Sequence, residues 1–370
     1  MLTNIGLIGY GGFGEFLLES WQKIPDVRVV SVADINPARN PGENIKFYQS
    51  WEDLIKFKNV DIIWISTPPD THAKIACAAM NEGMDVVIEK PIAINLDDAN
   101  RILKTRDQTS RIATIDYMLR FNPICRCFAD FTSNEIFGRF RRANIENYAQ
   151  DQSLPPQHWF WNKELSGGIL IEHAVHFIDL INYFSSRQYR TVNALSHKRS
   201  TGQEDQVFTS VLYDNGLIAS HYHSFSRPRF FEQTSIRLNY DLADIDIHGW
   251  IPLSGNFRAL VNEISLVALH QLPGLKIEKD TGISDLIGAS PQQKLHILQS
   301  GGTEYEVERM VEGTFKIDKD KSQVYADCVC ALLQDVITRR QNPAHKLMVT
   351  LEDGLSSLKI ASLASDITNI

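Results

Sequence analysis

The sequence predicts an α/β protein. An N-terminal doubly wound parallel sheet is followed by a C-terminal α+β domain with a large, mostly antiparallel, open-faced sheet. Three observations carry this reading. Short, near-continuous apolar runs alternate with helical segments over residues 1–118. A glycine-rich turn joins the first run to the first helix. Past residue 136 the runs lengthen and read as half-buried strands. At 370 residues the chain exceeds one typical compact core, so two domains are expected, 1–118 and 119–370.

Residues 4–9 (NIGLIG) form the first run and stop at glycine. A helix over 14–22 follows, with Phe16, Leu17 and Trp21 at helical spacing. Residues 27–33 are β-branched and apolar and end at Asp34. Residues 60–66 (VDIIWIS) make a third run, closed by Thr67-Pro68-Pro69. A helix over 71–82 stops at Gly83; then come a strand over 84–88, a helix over 96–108 and a strand over 112–116. In the second domain the strand-like segments are 139–149, 206–215, 216–226, 234–249 and 303–312. Asp214-Asn215-Gly216 between two alternating runs marks a hairpin. Helices are predicted over 168–184, 322–340 and 351–366.

Composition narrows the class. Hydrophobic residues make up 43%, charged residues 22%, and the net charge is −8. These values fit a globular protein, and without a basic run no nucleic-acid partner is expected. The N-terminus lacks the basic start and long apolar stretch of a signal peptide, and no run of membrane-spanning length occurs. A cytoplasmic protein without a membrane partner is expected. The five cysteines, Cys77, Cys125, Cys127, Cys328 and Cys330, are expected as free thiols in a reducing compartment. Cys328 and Cys330 fall in a helical pattern, where residues two apart point about 200° from each other and do not chelate one ion together.

Gly9-x-Gly11-x-x-Gly14 follows the first strand and opens the first helix, with Gly12 and Phe13 inside the turn. The first glycine makes the tight turn, the second lets backbone approach a pyrophosphate, and the third lets helix and strand pack closely. Asp34 ends the second strand, placed to accept from a ribose and to repel a 2′-phosphate. This is a Rossmann dinucleotide signal. It favours NAD, and the nearby Arg39 leaves NADP possible.

Residues 65–93 (ISTPPDTHAKIACAAMNEGMDVVIEKPIA) resemble the second signature of the glucose–fructose oxidoreductase and inositol dehydrogenase (Gfo/Idh/MocA) family. Thr67-Pro68-Pro69 with His72, and Glu89-Lys90-Pro91, match its TPxxxH and EKP elements. DYMLRFNP (116–123) is similar to its YxxRFNP stretch, with Arg120 and Asn122 in place. SGGILIEHAVHFIDL (166–180) resembles its GGxLxDxGxHxxD helix. Glu172 stands where the family usually has aspartate, and Ala174 is the small residue two before the histidine. The resemblance implies a hydride-transfer enzyme with Thr67, Pro68, Pro69, His72, Glu89 and Lys90 at the cofactor, a cis bond before Pro91, and no metal.

Oxidising a carbinol needs a base that takes the hydroxyl proton while the nicotinamide takes the hydride. His176 has the right type. Glu172, His176 and Asp179 stand at i, i+4 and i+7 and are expected on one helix face. Lys90 follows a strand at the carboxyl edge of the sheet, where doubly wound folds bind ligands. Alone, such a histidine is commonly a packing residue and such a lysine a solvated charge. The resemblance assigns His176 as general base, Lys90 as hydrogen-bond donor to the reacting oxygen with a share in the proton relay left open, and Glu172 either as orienter of His176 or as holder of a neighbouring hydroxyl. His173 is a further pocket candidate, and Arg120 and Asn122 are expected at the substrate edge. In PPQHWFWN (155–162), Trp159 and Trp161 offer a platform for sugar rings, and His158 or Asn162 can bond hydroxyls. His221 and His223 alternate along one strand and so share a face.

The expected activity is NAD-dependent oxidation of a sugar, cyclitol or sugar derivative. The alternatives are redox-neutral glycoside cleavage through transient oxidation, or an NAD-binding sensor without catalysis. A homodimer or homotetramer is expected, with a large apolar face of the second sheet covered by a partner subunit.

Overall fold

The computed structural model describes residues 2–288 and 295–368. The chain divides into two compact units. One comprises Met1–Phe121, Leu154–Asp179 and Tyr325–Ile370, the other Asn122–Ser153 and Leu180–Val324. The expected boundary at 118/119 lies beside the first passage between units, and three further passages follow.

In the first unit β1 (Thr3–Ile8), β2 (Val27–Ala33), β3 (Lys46–Tyr48), β4 (Ile62–Ile65), β5 (Asp85–Ile88) and β6 (Ala113–Ile115) form one sheet in the order β3-β2-β1-β4-β5-β6. Every pairing is parallel. The connecting helices are α1 (Gly12–Trp21), α2 (Trp51–Leu54), α3 (His72–Asn81) and α4 (Leu96–Thr109). Ile5, Leu7, Ile62, Ile63, Trp64, Ile65, Val86 and Val87 are all buried, as a sheet covered on both faces requires. Strand order reverses between β1 and β4, the crevice position where such sheets bind ligands.

The second unit opens with α5 (Pro123–Ser133) and β7 (Phe140–Gln150). The chain then gives the first unit α6 (Lys163–Ser166) and the start of α7 (Val175–Ser185). The large sheet is completed by β8 (Tyr189–Lys198), β9 (Glu204–Tyr213), β10 (Ile218–Arg227), β11 (Gln233–Tyr240), β12 (Ala243–His248) and β13 (Ser254–Val261). After α8 (Glu263–Leu269) come β14 (Lys276–Gly282), α9 (Ile283–Ile287), the separate hairpin β15 (His296–Ser300) and β16 (Thr303–Val307), and β17 (Arg309–Lys316). The nine strands run β14-β17-β13-β12-β11-β7-β10-β9-β8. Only the β7–β10 pair is parallel. The 214–216 turn joins β9 to β10 as expected, with Gly216 at φ 86°. The segment expected as one strand over 234–249 is the hairpin β11–β12. The long helices α10 (Lys321–Gln341) and α11 (Leu351–Thr368) end the chain.

One face of this sheet is apolar and buried, through Ala143, Ile145, Ile236, Leu238, Ile245 and Phe257. The other face corrects the expectation of a large apolar surface. Across β11–β13 it carries charge pairs: Arg237 with Asp246 at 2.6 Å and Arg258 with Asp244 at 3.0 Å. Alternation puts these side chains outward because their neighbours in sequence fill the core. On β8–β10 this outer face carries exposed apolar side chains, Leu195, Phe208, Leu212 and Ile218. No helix among the described residues is long and apolar enough to cross a membrane.

Candidate active site

The glycine turn ends β1 and starts α1. Gly9 has φ 93°, and a Cβ there would stand 2.5 Å from Ser66 O; one at Gly14 would stand 2.5 Å from Gly9 O. Both close approaches demand glycine. Gly11 is the N-cap and offers no side chain to the first-turn N–H groups, and the space around Gly12 is open. Phe13 stacks on Tyr325 of α10 at 5.9 Å. Asp34 is buried; its carboxylate accepts from Tyr10 N and Asn36 N, each at 2.8 Å, and from Arg39 Nη1 at 3.2 Å. A backbone cradle, an uncapped helix start and a carboxylate one strand over fit a dinucleotide.

At the ends of β4 and β5 the site becomes denser. Thr67 and Thr71 share a hydrogen bond at 2.6 Å, and Pro69 is buried. His72 is fully buried, with Nδ1 2.8 Å from Pro91 O and Nε2 2.9 Å from Thr67 O. Burial pushes it down to about 4, while the two carbonyls pull it up. Both ring nitrogens thus engage backbone carbonyls, one in the segment after β4 and one directly after Lys90. The Lys90–Pro91 peptide is cis, as expected.

Lys90 Nζ donates to Glu172 Oε1 at 2.7 Å and to Glu172 O at 2.8 Å. The second bond has a structural cause. Leu170–Ala174 is a π-helical turn that precedes α7, so the predicted continuous helix over 168–184 holds one residue too many for α geometry. Such turns disturb the regular ladder and leave a carbonyl for other donors. Glu172 lies within this turn, ahead of the α-helical segment that carries His176 and Asp179. Its carboxylate faces Lys90.

His176 is buried, and burial, then the Lys90 charge, takes it down to about 3. His173, half-buried, is lowered by the same causes and by His176. Both are neutral imidazoles at neutral pH. The ring of His176 lies 6.2 Å from that of Tyr117.

Arg120 and Asn122 both have partners within the protein. Arg120 forms a bidentate pair with Asp179 at 2.6 and 2.9 Å and also reaches Asp353 at 3.0 Å. Burial lifts Asp179 to about 7 against the pull of Arg120. Arginine has no accessible neutral form, so the guanidinium stays charged. Asn122 caps α5 by accepting from Ile124 N at 2.9 Å and donates to Pro252 O at 2.9 Å. Trp161 donates its indole N–H to Leu154 O, His158 Nδ1 accepts from Phe160 N, and Asn162 accepts from Glu164 N. Trp159 is half-buried beside His158, 5.5 Å ring to ring. Among the described residues no cluster of three or more His, Cys, Asp or Glu could hold a metal.

Two family models match in succession. The oxidoreductase family, NAD-binding Rossmann fold, matches residues 3–117, and the GFO/IDH/MocA C-terminal domain matches 132–239. The chain belongs to this family, and its cofactor is NAD(P). A myo-inositol 2-dehydrogenase from Thermotoga maritima is 25% identical over 196 residues, 52% of this chain and 57% of that one. A 1-carboxy-3-chloro-3,4-dihydroxycyclohexa-1,5-diene dehydrogenase from Comamonas testosteroni is 25% identical over 236 residues, 60% of this chain and 59% of that one. The match thus spans under two thirds of these relatives' own lengths. In fold, a putative myo-inositol dehydrogenase from Sinorhizobium meliloti superposes with a TM-score of 0.71 at 17% identity, covering 99% of this chain and 97% of that one.

Proposed function

We propose that the protein is an oxidoreductase that moves a hydride between NAD and a carbinol of a sugar, cyclitol or sugar derivative. The observation that carries this is the Lys90–Glu172 pair with His176 one turn further on. Bound nicotinamide supplies the hydride acceptor. Lys90 donates a hydrogen bond to the reacting oxygen, and neutral His176 takes the hydroxyl proton at a ring nitrogen. Glu172, through carboxylate and carbonyl, aims Lys90. Asp34 favours NAD, and Arg39 beside it keeps NADP admissible. Residues 1–118 serve as the cofactor domain; residues 119–370 serve substrate binding and self-association through the nine-stranded sheet. Trp159, with His158 and His173, supplies substrate contacts.

A second reading has its own support. A glycosyl hydrolase family 109 protein from Bacteroides fragilis is 23% identical over 269 residues, 62% of this chain and 57% of that one. Redox-neutral cleavage of a glycoside would use the same proton-handling residues.

The test is near-ultraviolet absorbance with NAD or NADP against sugars, inositols, uronic acids and glycosides. Reduced nicotinamide appearing with one polyol class, and vanishing in Lys90→Ala and His176→Ala, supports the dehydrogenase. A flat trace with loss of a glycoside favours the second reading. Silence on both counts with NAD bound leaves a sensor.

A further inference from the structure

Glu89 and Asp116 are the first residues past β5 and β6, neighbouring parallel strands in which Ile88 pairs with Ile115. Asp116 N donates to Ile88 O at 2.8 Å and Glu89 N to Ile65 O at 2.9 Å, which fixes both at the carboxyl edge of the sheet. Asp116 is buried and Glu89 half-buried. The Trp64 indole donates to Glu89 Oε1 at 3.1 Å, and Asp116 Oδ1 is buried without a hydrogen-bond partner.

Few groups can offset two charges here. The adjacent cation is Lys90, already engaged by Glu172. From α10, Tyr325 and Cys328 face the acids, and both are pushed up, by burial first and by neighbouring carboxylates second. Neither can serve as a counter-charge. Two carboxylates side by side, largely away from water, do not both ionise. One of the two then keeps its proton. Burial, and next the Asp116 charge, raises Glu89 well above the usual range; burial lifts Asp116 to about 6 although the Glu89 bond pulls it down.

We propose that Glu89 and Asp116 hold one proton between them and so set which oxidation state of the nicotinamide the protein prefers. This rests on the reading above that the dinucleotide lies along the carboxyl edge of the parallel sheet. Lys90 and Glu172 cancel, so the pair leaves one negative charge in a poorly solvated place. The oxidised nicotinamide ring is a cation and the reduced ring is neutral. The single charge therefore favours the oxidised form, and a second proton on the pair removes that preference. By linkage, NAD⁺ lowers the pair's proton affinity relative to NADH.

Two measurements on the whole protein decide it. The first is the infrared carbonyl stretch of a protonated carboxyl at neutral pH, in wild type, Glu89→Gln and Asp116→Asn. The band is expected in wild type, shifted in each single variant, where the remaining acid has no carboxylate beside it, and missing from the double variant. Its absence from wild type, or an unshifted band in both single variants, overturns the shared proton. The second is the ratio of NADH to NAD⁺ dissociation constants from pH about 5 to 8, expected to rise roughly tenfold in wild type as the pair gives up its second proton. It should be flat and low in the double variant, which has no carboxylate at either position. A wild-type ratio in the double variant overturns the charge role. If neither dinucleotide binds wild type, the cofactor reading falls and the charge role with it, while the infrared band still reports on the proton.

Discussion

The two sheets handle polarity in opposite ways. In the parallel sheet the acids Asp34, Glu89 and Asp116 each follow the last residue of a strand. In the nine-stranded sheet Asn147, Thr209, His221 and His223 sit mid-strand on the buried face. A sheet covered on both faces offers water only at strand ends, so chemistry collects there. A sheet with one open face can hold polar groups in its covered face, and the cost shows. Both ring nitrogens of His221 and the Thr209 hydroxyl are buried without hydrogen-bond partners.

The largest expected effect tests the strand-end chemistry. Lys90→Ala should lower kcat/KM about 10²–10⁴-fold with the fold intact by circular dichroism; a loss below about fivefold would break the assignment. Next comes the clamp under α7. Arg120→Ala leaves Asp179 buried and unpaired and should cost about 3–5 kcal/mol in denaturant unfolding. A cost near zero would mean the pair is open to water.

A smaller effect separates the sheets by acid. Burial takes His221 down to about 3. A histidine whose folded pKa lies below its unfolded one stabilises the fold fully above pH 6.5, and that contribution is lost as pH falls toward 3. His72 and His176 act in the same direction. Asp116 and Asp179, raised by burial, work oppositely: their contribution is lost as pH rises through about 6 and 7. His221→Phe should flatten the acid limb of stability by on the order of a few kcal/mol and leave the neutral limb unchanged. An unchanged acid limb would show that His221 is hydrated or charged. The smallest effect concerns the outer face. Arg258→Ala should change monomer stability by under about 1 kcal/mol. If the sheet is the subunit contact, the same change should shift the mass measured by light scattering; an unchanged mass would move the contact elsewhere.

Much of the parallel sheet was legible because its signals are local. Gly9, Gly11, Gly14 and Asp34 carry their reasons in sequence spacing. The strands missed by hydrophobic pattern are mostly edges. β3, β8 and β14 each end a sheet, and Tyr189–Lys198 and Lys276–Gly282 are largely polar because few of their side chains enter a core. Lys90, Glu172 and His176 stood out through motifs, whereas the π-turn left no periodic trace. The Glu89–Asp116 pair was hidden because strand pairing, not spacing, brings it together. Arg120 and Asn122 show a related limit: a polar residue in a motif does not reveal whether its partner is ligand or fold.

The turn at Leu170–Ala174 also bears on how this site can change by descent. A π-turn amounts to one inserted codon tolerated inside a helix. Losing one residue there would restore the α repeat and swing everything upstream by about 100° relative to α7. Glu172 would leave Lys90 while His176 stayed on its own helix. A single small deletion could thus uncouple the lysine from its carboxylate without touching either residue, a short mutational route from a working site to a silent one.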